Sequence, residues 1–203
     1  MNGSVLGAVL AGGESRRYGR PKAGEPVGGV PMVRRVADAL AEVCEKVVVI
    51  SSREVPGAEG LGVLPDRVEG AGPLGGLHAA LLVAREDGYG GVFLAACDLP
   101  LLEASTVRAV VEDVTEGDVA VVPADTEGRL EPLCAYYATS LISRVEEALG
   151  GNDRSLHSLI KAVGGRTISL DALGGALPQA LLNVNRPADR ERAEKSVEEG
   201  LHG

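Results

Sequence analysis

Four basic side chains, Arg16, Arg17, Arg20 and Lys22, fall within seven positions just beyond the glycine pair Gly12-Gly13. Glycines let backbone amides approach an anion closely, and guanidinium and ammonium groups add charge and donors, so this loop suits a polyphosphate. The run before it, Val5–Leu10, reads as a buried strand that empties into the loop. Two further apolar runs end in polar groups: Gly91–Ala96 passes into Cys97-Asp98, and Leu181–Val184 into Asn185. A carboxylate and an amide oxygen are ligands of the kind Mg²⁺ takes, one or two from the protein and the rest water. Strand ends on one edge of a parallel sheet share a crevice, so the glycine loop after Leu10, Asp98 and Asn185 are expected to converge there.

The loop is neither common nucleotide motif. Lys22 lies nine residues beyond Gly13 and is followed by Ala23, which breaks GxxxxGK[ST], and no GxGxxG opens directly into a helix. His78, His157 and His202 fall in separate segments beside no strong nucleophile, and each reads as a surface or packing residue.

The elements that must position these groups alternate between strand and helix patterns. Met32–Val43 keeps apolar residues at helical spacing, Lys46–Ile50 is a compact strand and Leu61–Leu64 a weaker one. Leu74–Ala84 is a small-residue helix entered through Gly72-Pro73, and Ser105 is placed to cap a helix over Thr106–Val114. Val119–Pro123 and Leu133–Tyr137 are strands around the turn-rich Ala124–Arg129, which predicts an antiparallel insertion. Helices over Leu141–Leu149 and Ser155–Val163, strands at Arg166–Leu170 and Leu181–Val184, a surface connection at Asp171–Pro178 and a terminal helix from Pro187 complete the pattern. This predicts an α/β, three-layer Rossmann-like fold: a mostly parallel sheet with helices on both faces, as a single domain over 1–203.

Composition agrees. Of the 203 residues 45% are hydrophobic but only 2% aromatic, so the core is built from Ala, Val and Leu. The net charge of -9 excludes a general nucleic-acid or anionic-membrane binder. Residues 1–35 carry six basic and two acidic side chains, +4, which leaves -13 for the rest: a local anion site on an acidic body. Cys44, Cys97 and Cys134 are odd in number and lack metal-ligand spacing, so disulfides and structural zinc are not expected and a reducing cytoplasm is. No apolar run approaches the ~20 residues that span a bilayer, and no signal segment opens the chain.

Leu10-Ala11-Gly12-Gly13-x-Ser15-x-Arg17, followed by Gly19-x-x-Lys22, resembles the signature of MobA-like nucleotidyltransferases, the family of the molybdenum cofactor guanylyltransferases. Pro65-Asp66, Gly72-Pro73-Leu74-Gly75-Gly76, Cys97-Asp98-Leu99-Pro100, Glu131-Pro132-Leu133 and Asn183-Val184-Asn185-Arg186-Pro187 resemble its later motifs, in order. The resemblance implies transfer of GMP from GTP to the phosphate of molybdopterin, with release of pyrophosphate. It implies that Leu10, Ala11, Gly12 and Gly13 meet the nucleotide, that Lys22 and Arg16 serve its phosphates, and that Asp66 reads guanine. Asp98 is implied to hold Mg²⁺, with Asn185 a second metal ligand or an acceptor contact, and Glu131, Pro132 and Asn183 to meet the acceptor. Gly12-Gly13, where cytidylyl-type relatives show Ala-Gly, favours guanine, and Gly75 and Gly76 suggest room for a purine or ordinary packing at a helix contact.

The sequence departs from the family pattern at Tyr18 (often Met), at Ser51 or Ser52 (where an Asn can meet the nucleotide), and at Glu131 (where His is common). The expected partners are GTP, a molybdopterin-type substrate and, transiently, cofactor-synthesis or molybdoenzyme-maturation proteins. The competing readings are transfer to a cobinamide phosphate, sugar phosphate or phospholactate, and a non-catalytic GTP-binding adaptor.

Overall fold

The computed structural model describes residues 4–12, 22–66, 68, 70–169 and 181–200. β1 (Val5–Leu10) is buried along its whole length, which demands cover on both faces. Leu6, Ala8 and Leu10 point into one apolar cluster, Val5 and Val9 into another on the opposite side of the sheet. At Gly7 an added Cβ would lie 3.2 Å from Leu40 and Val47 side chains, so α1 (Met32–Ala41) packs tightly there.

The remaining strands are β2 (Pro26–Val27), β3 (Val30–Pro31), β4 (Lys46–Ile50), β5 (Gly62–Leu64), β6 (Gly91–Ala96), β7 (Ala120–Ala124), β8 (Cys134–Ala138) and β9 (Arg166–Ser169). Among the described residues the main sheet has seven strands in the order β5-β4-β1-β6-β8-β7-β9. All run parallel except β8, which pairs antiparallel with both β6 and β7. The antiparallel part foreseen from the turn-rich segment is thus a strand of the main sheet. α2 (Gly72–Glu86), α4 (Ile142–Gly150) and α5 (Leu156–Val163) cover one face, α1 and α3 (Ala104–Glu112) the other, which gives the three layers.

With so few rings the core rests on aliphatic packing, but Phe93 and Tyr137 are fully buried and sit on opposite faces. Truncating Phe93 to alanine is expected to cost about 3–5 kcal/mol. The Tyr137 hydroxyl donates to the Pro132 carbonyl at 2.8 Å and so fixes the loop that enters β8.

A third, small cluster of Val27, Met32, Val184 and Ala193 holds α6 (Pro187–Gly200) against the β2–β3 hairpin. That hairpin turns through Gly28 and Gly29 at φ 58° and 77°, as a two-residue loop matching strand twist requires.

Two expectations are corrected. Leu181–Val184 is not a strand: it crosses the sheet end irregularly, pinned where the Val184 amide donates to the Asp98 carbonyl at 2.9 Å. Leu181 packs into the cluster on the α1 and α3 face of the sheet, while Leu182 and Val184 face the α6 cluster, a distinction a four-residue apolar run cannot encode. Ser105 does not cap α3: the helix starts at Ala104 after Glu103, and the Ser105 hydroxyl donates to the Glu103 carboxylate at 3.1 Å.

Candidate active site

Strand order reverses between β1 and β6: β4 and β5 extend the sheet to one side of β1, and the chain then returns through α2 to β6 on the other. Ligands of open α/β sheets bind at this switch. Its two strand ends are locked together by the Cys97 amide donating to the Leu10 carbonyl at 3.0 Å, and the Ala11 amide donates to Ile50 at 3.0 Å.

Lys22 arrives on a single 3-10 turn, Lys22–Gly24, whose Ala23 is buried in the core. Its Nζ lies 2.6 Å from Asp98 Oδ2 and 2.8 Å from Asn185 Oδ1, with the Val184 carbonyl at 3.5 Å. Lys22, Asp98 and Asn185 therefore meet at one point, although only Asp98 follows a strand end. Asn185 is held for this by α6: its amide and that of Arg186 donate to Asp189 Oδ2 at 3.0 and 2.8 Å. Asp98 Oδ1, in contrast, is buried and has no hydrogen-bond partner among the described residues.

Asp66 follows β5 and accepts from the Val68 amide at 3.0 Å. It rests on α2 where the helix has Gly75: a Cβ there would come within 2.7 Å of Asp66 Oδ1. A Cβ at Gly76 would come within 2.6 Å of Leu10 Cδ2. The room these glycines give is filled by Asp66 and Leu10, so they serve packing beneath the nucleotide side rather than space for a purine. Leu10 is buried, Ala11 half-buried and Gly12 exposed at the strand end. Ser51 is buried, and its hydroxyl donates to the Arg53 carbonyl at 3.0 Å and accepts from the Arg53 amide at 3.2 Å, which commits it to its own loop. Gly13, Arg16, Arg17 and Arg20 lie outside the described residues.

Beyond Asp98 a cavity of about 370 Å³ opens, and Glu131, Pro132 and Asn183 all line it, with Leu99, the residue after Asp98, in its wall. Burial pushes the Glu131 carboxyl above its usual range, aided by the charges of Asp125 and, more weakly, Asp98. The negative charge of Asp98 thus reaches the cavity. Arg154 and His157 also line it; no sequence signal marks Arg154, and His157 reads from the sequence as a surface or packing residue. They are separated from Glu131 by more than twenty positions and carry no motif, so only the folded chain brings them there.

Cys97, beside Asp98, is no nucleophile: burial, and secondarily the Asp98 charge, raise its thiol to about 12. The other two cysteines are also buried and free, and burial raises each to about 12. Among the described residues no group of three or more His, Cys, Asp or Glu side chains could enclose a metal. The Lys22 ammonium sits on one oxygen each of Asp98 and Asn185.

The model of the MobA-like NTP transferase domain matches residues 7–168. A protein of Pelotomaculum thermopropionicum named probable molybdenum cofactor guanylyltransferase is 36% identical over 202 residues, spanning 98% of this chain and 96% of that one. The molybdenum cofactor guanylyltransferase of Desulfosudis oleivorans is 31% identical over 201 residues, 97% of this chain and 98% of that one. Among solved structures, molybdopterin-guanine dinucleotide biosynthesis protein A from Archaeoglobus fulgidus superposes with a TM-score of 0.80 at 25% identity, covering 96% of this chain and all of that one. With strand ends, lysine and carboxylate arranged as described and these matches running nearly its full length, the chain belongs to the MobA-like NTP transferase family.

Proposed function

We propose that the protein transfers GMP from GTP to the terminal phosphate of a molybdopterin-type acceptor and releases pyrophosphate. The observation that carries this reading is the placement of Asp98 between the end of β1 and the cavity, where Lys22 and Asn185 meet it. A nucleotide held along Leu10, Ala11 and Gly12 and an acceptor held in the cavity would meet at this carboxylate. The names of the near-full-length relatives point to the same substrates.

An oxygen of the acceptor phosphate forms a new bond to the α-phosphorus, and the bond from that phosphorus to the bridging oxygen of the β-phosphate breaks. Pyrophosphate leaves with the bonding electron pair. The attacking phosphate is already an anion, so no enzyme nucleophile is required, in keeping with the inert Cys97.

Lys22, drawn from Asp98 toward the phosphates, neutralises charge that builds on the leaving group, and Arg16 adds to it. Asp66 accepts hydrogen bonds from N1–H and the exocyclic amine of guanine, a donor pair that adenine lacks.

Asp98 fits Mg²⁺: its Oδ1 is buried without a partner among the described residues, and Asn185 adds a second hard oxygen. When bound, the ion supplies charge neutralisation across the phosphates. One carboxylate and one amide suit a cation that keeps several waters and takes further ligands from substrate phosphates.

No helix among the described residues is long and apolar enough to cross a membrane, and the buried unpaired thiols suit a reducing compartment; the cytoplasm is the setting we assign.

The test is pyrophosphate release with each of GTP, CTP and ATP, Mg²⁺ and molybdopterin. GTP is expected to support transfer and the other two to fail; equal rates with CTP would overturn the base assignment.

A further inference from the structure

The loop after Asp98 and the hairpin after Lys22 are joined by a side chain outside the active-site cluster. Arg35, in the first turn of α1, donates through Nε to the Pro100 carbonyl at 2.8 Å and through Nη1 to the Val27 carbonyl at 3.3 Å. Pro100 lies two residues beyond Asp98, at most about 7 Å of chain. Val27 follows the Lys22 turn, which is closed by the Glu25 amide donating to the Lys22 carbonyl at 3.0 Å and tied to α1 by the Met32 amide donating to the Glu25 carbonyl at 2.9 Å. One guanidinium therefore bridges the segment that carries the ammonium and the segment that carries the carboxylate.

This is a costly place for a positive charge. Arg35 is half-buried, and desolvation lowers its pKa from the ordinary arginine value, which Asp38 offsets in part. The first turn of a helix also disfavours cations, because the macrodipole is positive there. The guanidinium stays charged at neutral pH, and these two bonds commit it to loop carbonyls. The hairpin turn closes over it: a Cβ at Gly28 would lie 3.6 Å from Arg35 Nη1 and 2.7 Å from Val197 of α6. Leu101, beside Pro100, packs on the small cluster of Val27, Met32, Val184 and Ala193. Apolar contact holds these segments together without fixing their direction, whereas a planar fork on two carbonyls does fix it.

We infer that Arg35 is a positioning residue for nucleotidyl transfer: by bridging the Val27 and Pro100 carbonyls it sets how the Lys22 turn meets the Asp98 loop. The inference rests on the transfer reading above. In that reading the ammonium leaves Asp98 for the phosphates, so the 2.6 Å contact between them cannot itself keep the two segments aligned during reaction. The Arg35 bridge lies outside that exchange and persists through it. A shift of about an ångström between the segments leaves both groups present but misplaced, which costs on the order of 10²-fold in rate. Arg35 acts through Lys22 and Asp98, not on the substrate.

The full-length protein is assayed for pyrophosphate release with GTP, Mg²⁺ and molybdopterin. Arg35→Met, which keeps the apolar stem, should lower kcat by about 10–100-fold and change KM for GTP by less than about threefold. Arg35→Lys keeps the charge without the fork and should recover only part of the loss; full recovery would overturn the bridge. In an Asp98→Asn background Arg35→Met should cost little more, because its effect runs through that carboxylate, and the same factor in both backgrounds would overturn the inference as general loosening. Hydrogen exchange of nucleotide-free protein gives a readout independent of turnover. The Val184 amide, bonded to the Asp98 carbonyl, should exchange at least about tenfold faster in Arg35→Met, and the Ala11 amide, bonded to Ile50, at its wild-type rate. Unchanged exchange at Val184, or equal acceleration at both amides, would also overturn it. Failure of wild-type protein to release pyrophosphate would strike the transfer reading instead, and the exchange contrast still decides whether Arg35 holds the Asp98 loop.

Discussion

Two ion clusters in this molecule are built from similar parts and end in opposite states. At the edge of the sheet, Arg166 of β9 donates through Nε and Nη2 to Asp118 at 3.0 and 2.8 Å, through Nη1 to the Asp113 carboxylate at 2.5 Å and through Nη2 to its carbonyl at 2.6 Å. Asp118 also accepts from the amide and hydroxyl of Thr115. The guanidinium, followed by the Thr115 donors, holds the Asp118 carboxyl well below the usual carboxylate range. At the centre of the sheet, Asp98 receives Lys22 on one oxygen and, among the described residues, nothing on the other. The planar fork of an arginine saturates its partners, while a lysine is a point charge on a flexible stem that can leave. A saturated cluster fastens two elements; an unsaturated one is arranged for a ligand.

The largest expected effect tests that contrast at the active site. Asp98→Asn and Lys22→Ala should each lower GMP transfer by about 10²–10³-fold, the usual size for removing one preorganised charge from a transition state. Neither should lower the melting temperature by more than a few degrees. The comparison breaks if transfer persists in both variants while either unfolds on mild heating.

Next in size is a binding effect. The Lys22 ammonium stands on the carboxylate proposed to hold the metal, so Lys22→Ala should raise the affinity of nucleotide-free protein for Mn²⁺, read by electron paramagnetic resonance. Two like charges about 4 Å apart repel by roughly 1–4 kcal/mol between bulk-water and surface dielectric, so a gain of about tenfold is expected. Unchanged Mn²⁺ affinity would show that the ammonium does not compete with the ion.

What could be read from the sequence follows the same division. Asp98 was legible because a buried apolar run that ends in a polar residue announces a strand edge, whereas Lys22 and Asn185 were singled out by the motifs around them and reach Asp98 from a 3-10 turn and an irregular segment. The α-helices and most strands were legible from period alone. The irregular course of Leu181–Val184 was not, since the Val184 amide is fixed on the backbone of Asp98, which no local pattern records. Gly75 and Gly76 suggested empty space, because a sequence shows that a side chain is missing but not that Asp66 and Leu10 fill the gap. The cavity around Glu131 draws on α2, the turn after β6, the loop before β8 and the start of α5, so it existed in no single stretch of sequence. Arg166, Asp113 and Asp118 went unmentioned for the same reason: their pairing spans about fifty positions.

The smallest effect lies in that saturated cluster and concerns stability alone. Removing the Asp118 charge leaves the Arg166 guanidinium with Asp113 and weakens the tie between β9 and the turn before β7. For a partly exposed pair this is worth roughly 1 kcal/mol, or about 2–4 °C in melting temperature for a chain of this size. Because the folded-state carboxyl titrates below its unfolded value of about 3.9, its contribution is present above that pH and is lost as pH falls through the lower, folded value. Asp118→Asn should therefore melt below the wild type at pH 7, and the gap should narrow steadily from about pH 5 downward. Transfer of GMP at pH 7 and 25 °C should be unaltered, since the cluster lies at the sheet edge and lines neither Asp98 nor the cavity. A gap that stays constant down to pH 2.5 would mean that the hydrogen-bonding shape of residue 118, not its charge, holds the edge strand. A loss of transfer comparable to that of Asp98→Asn would mean that the two clusters are coupled through β7 and β8, and that saturation alone does not separate scaffold from site.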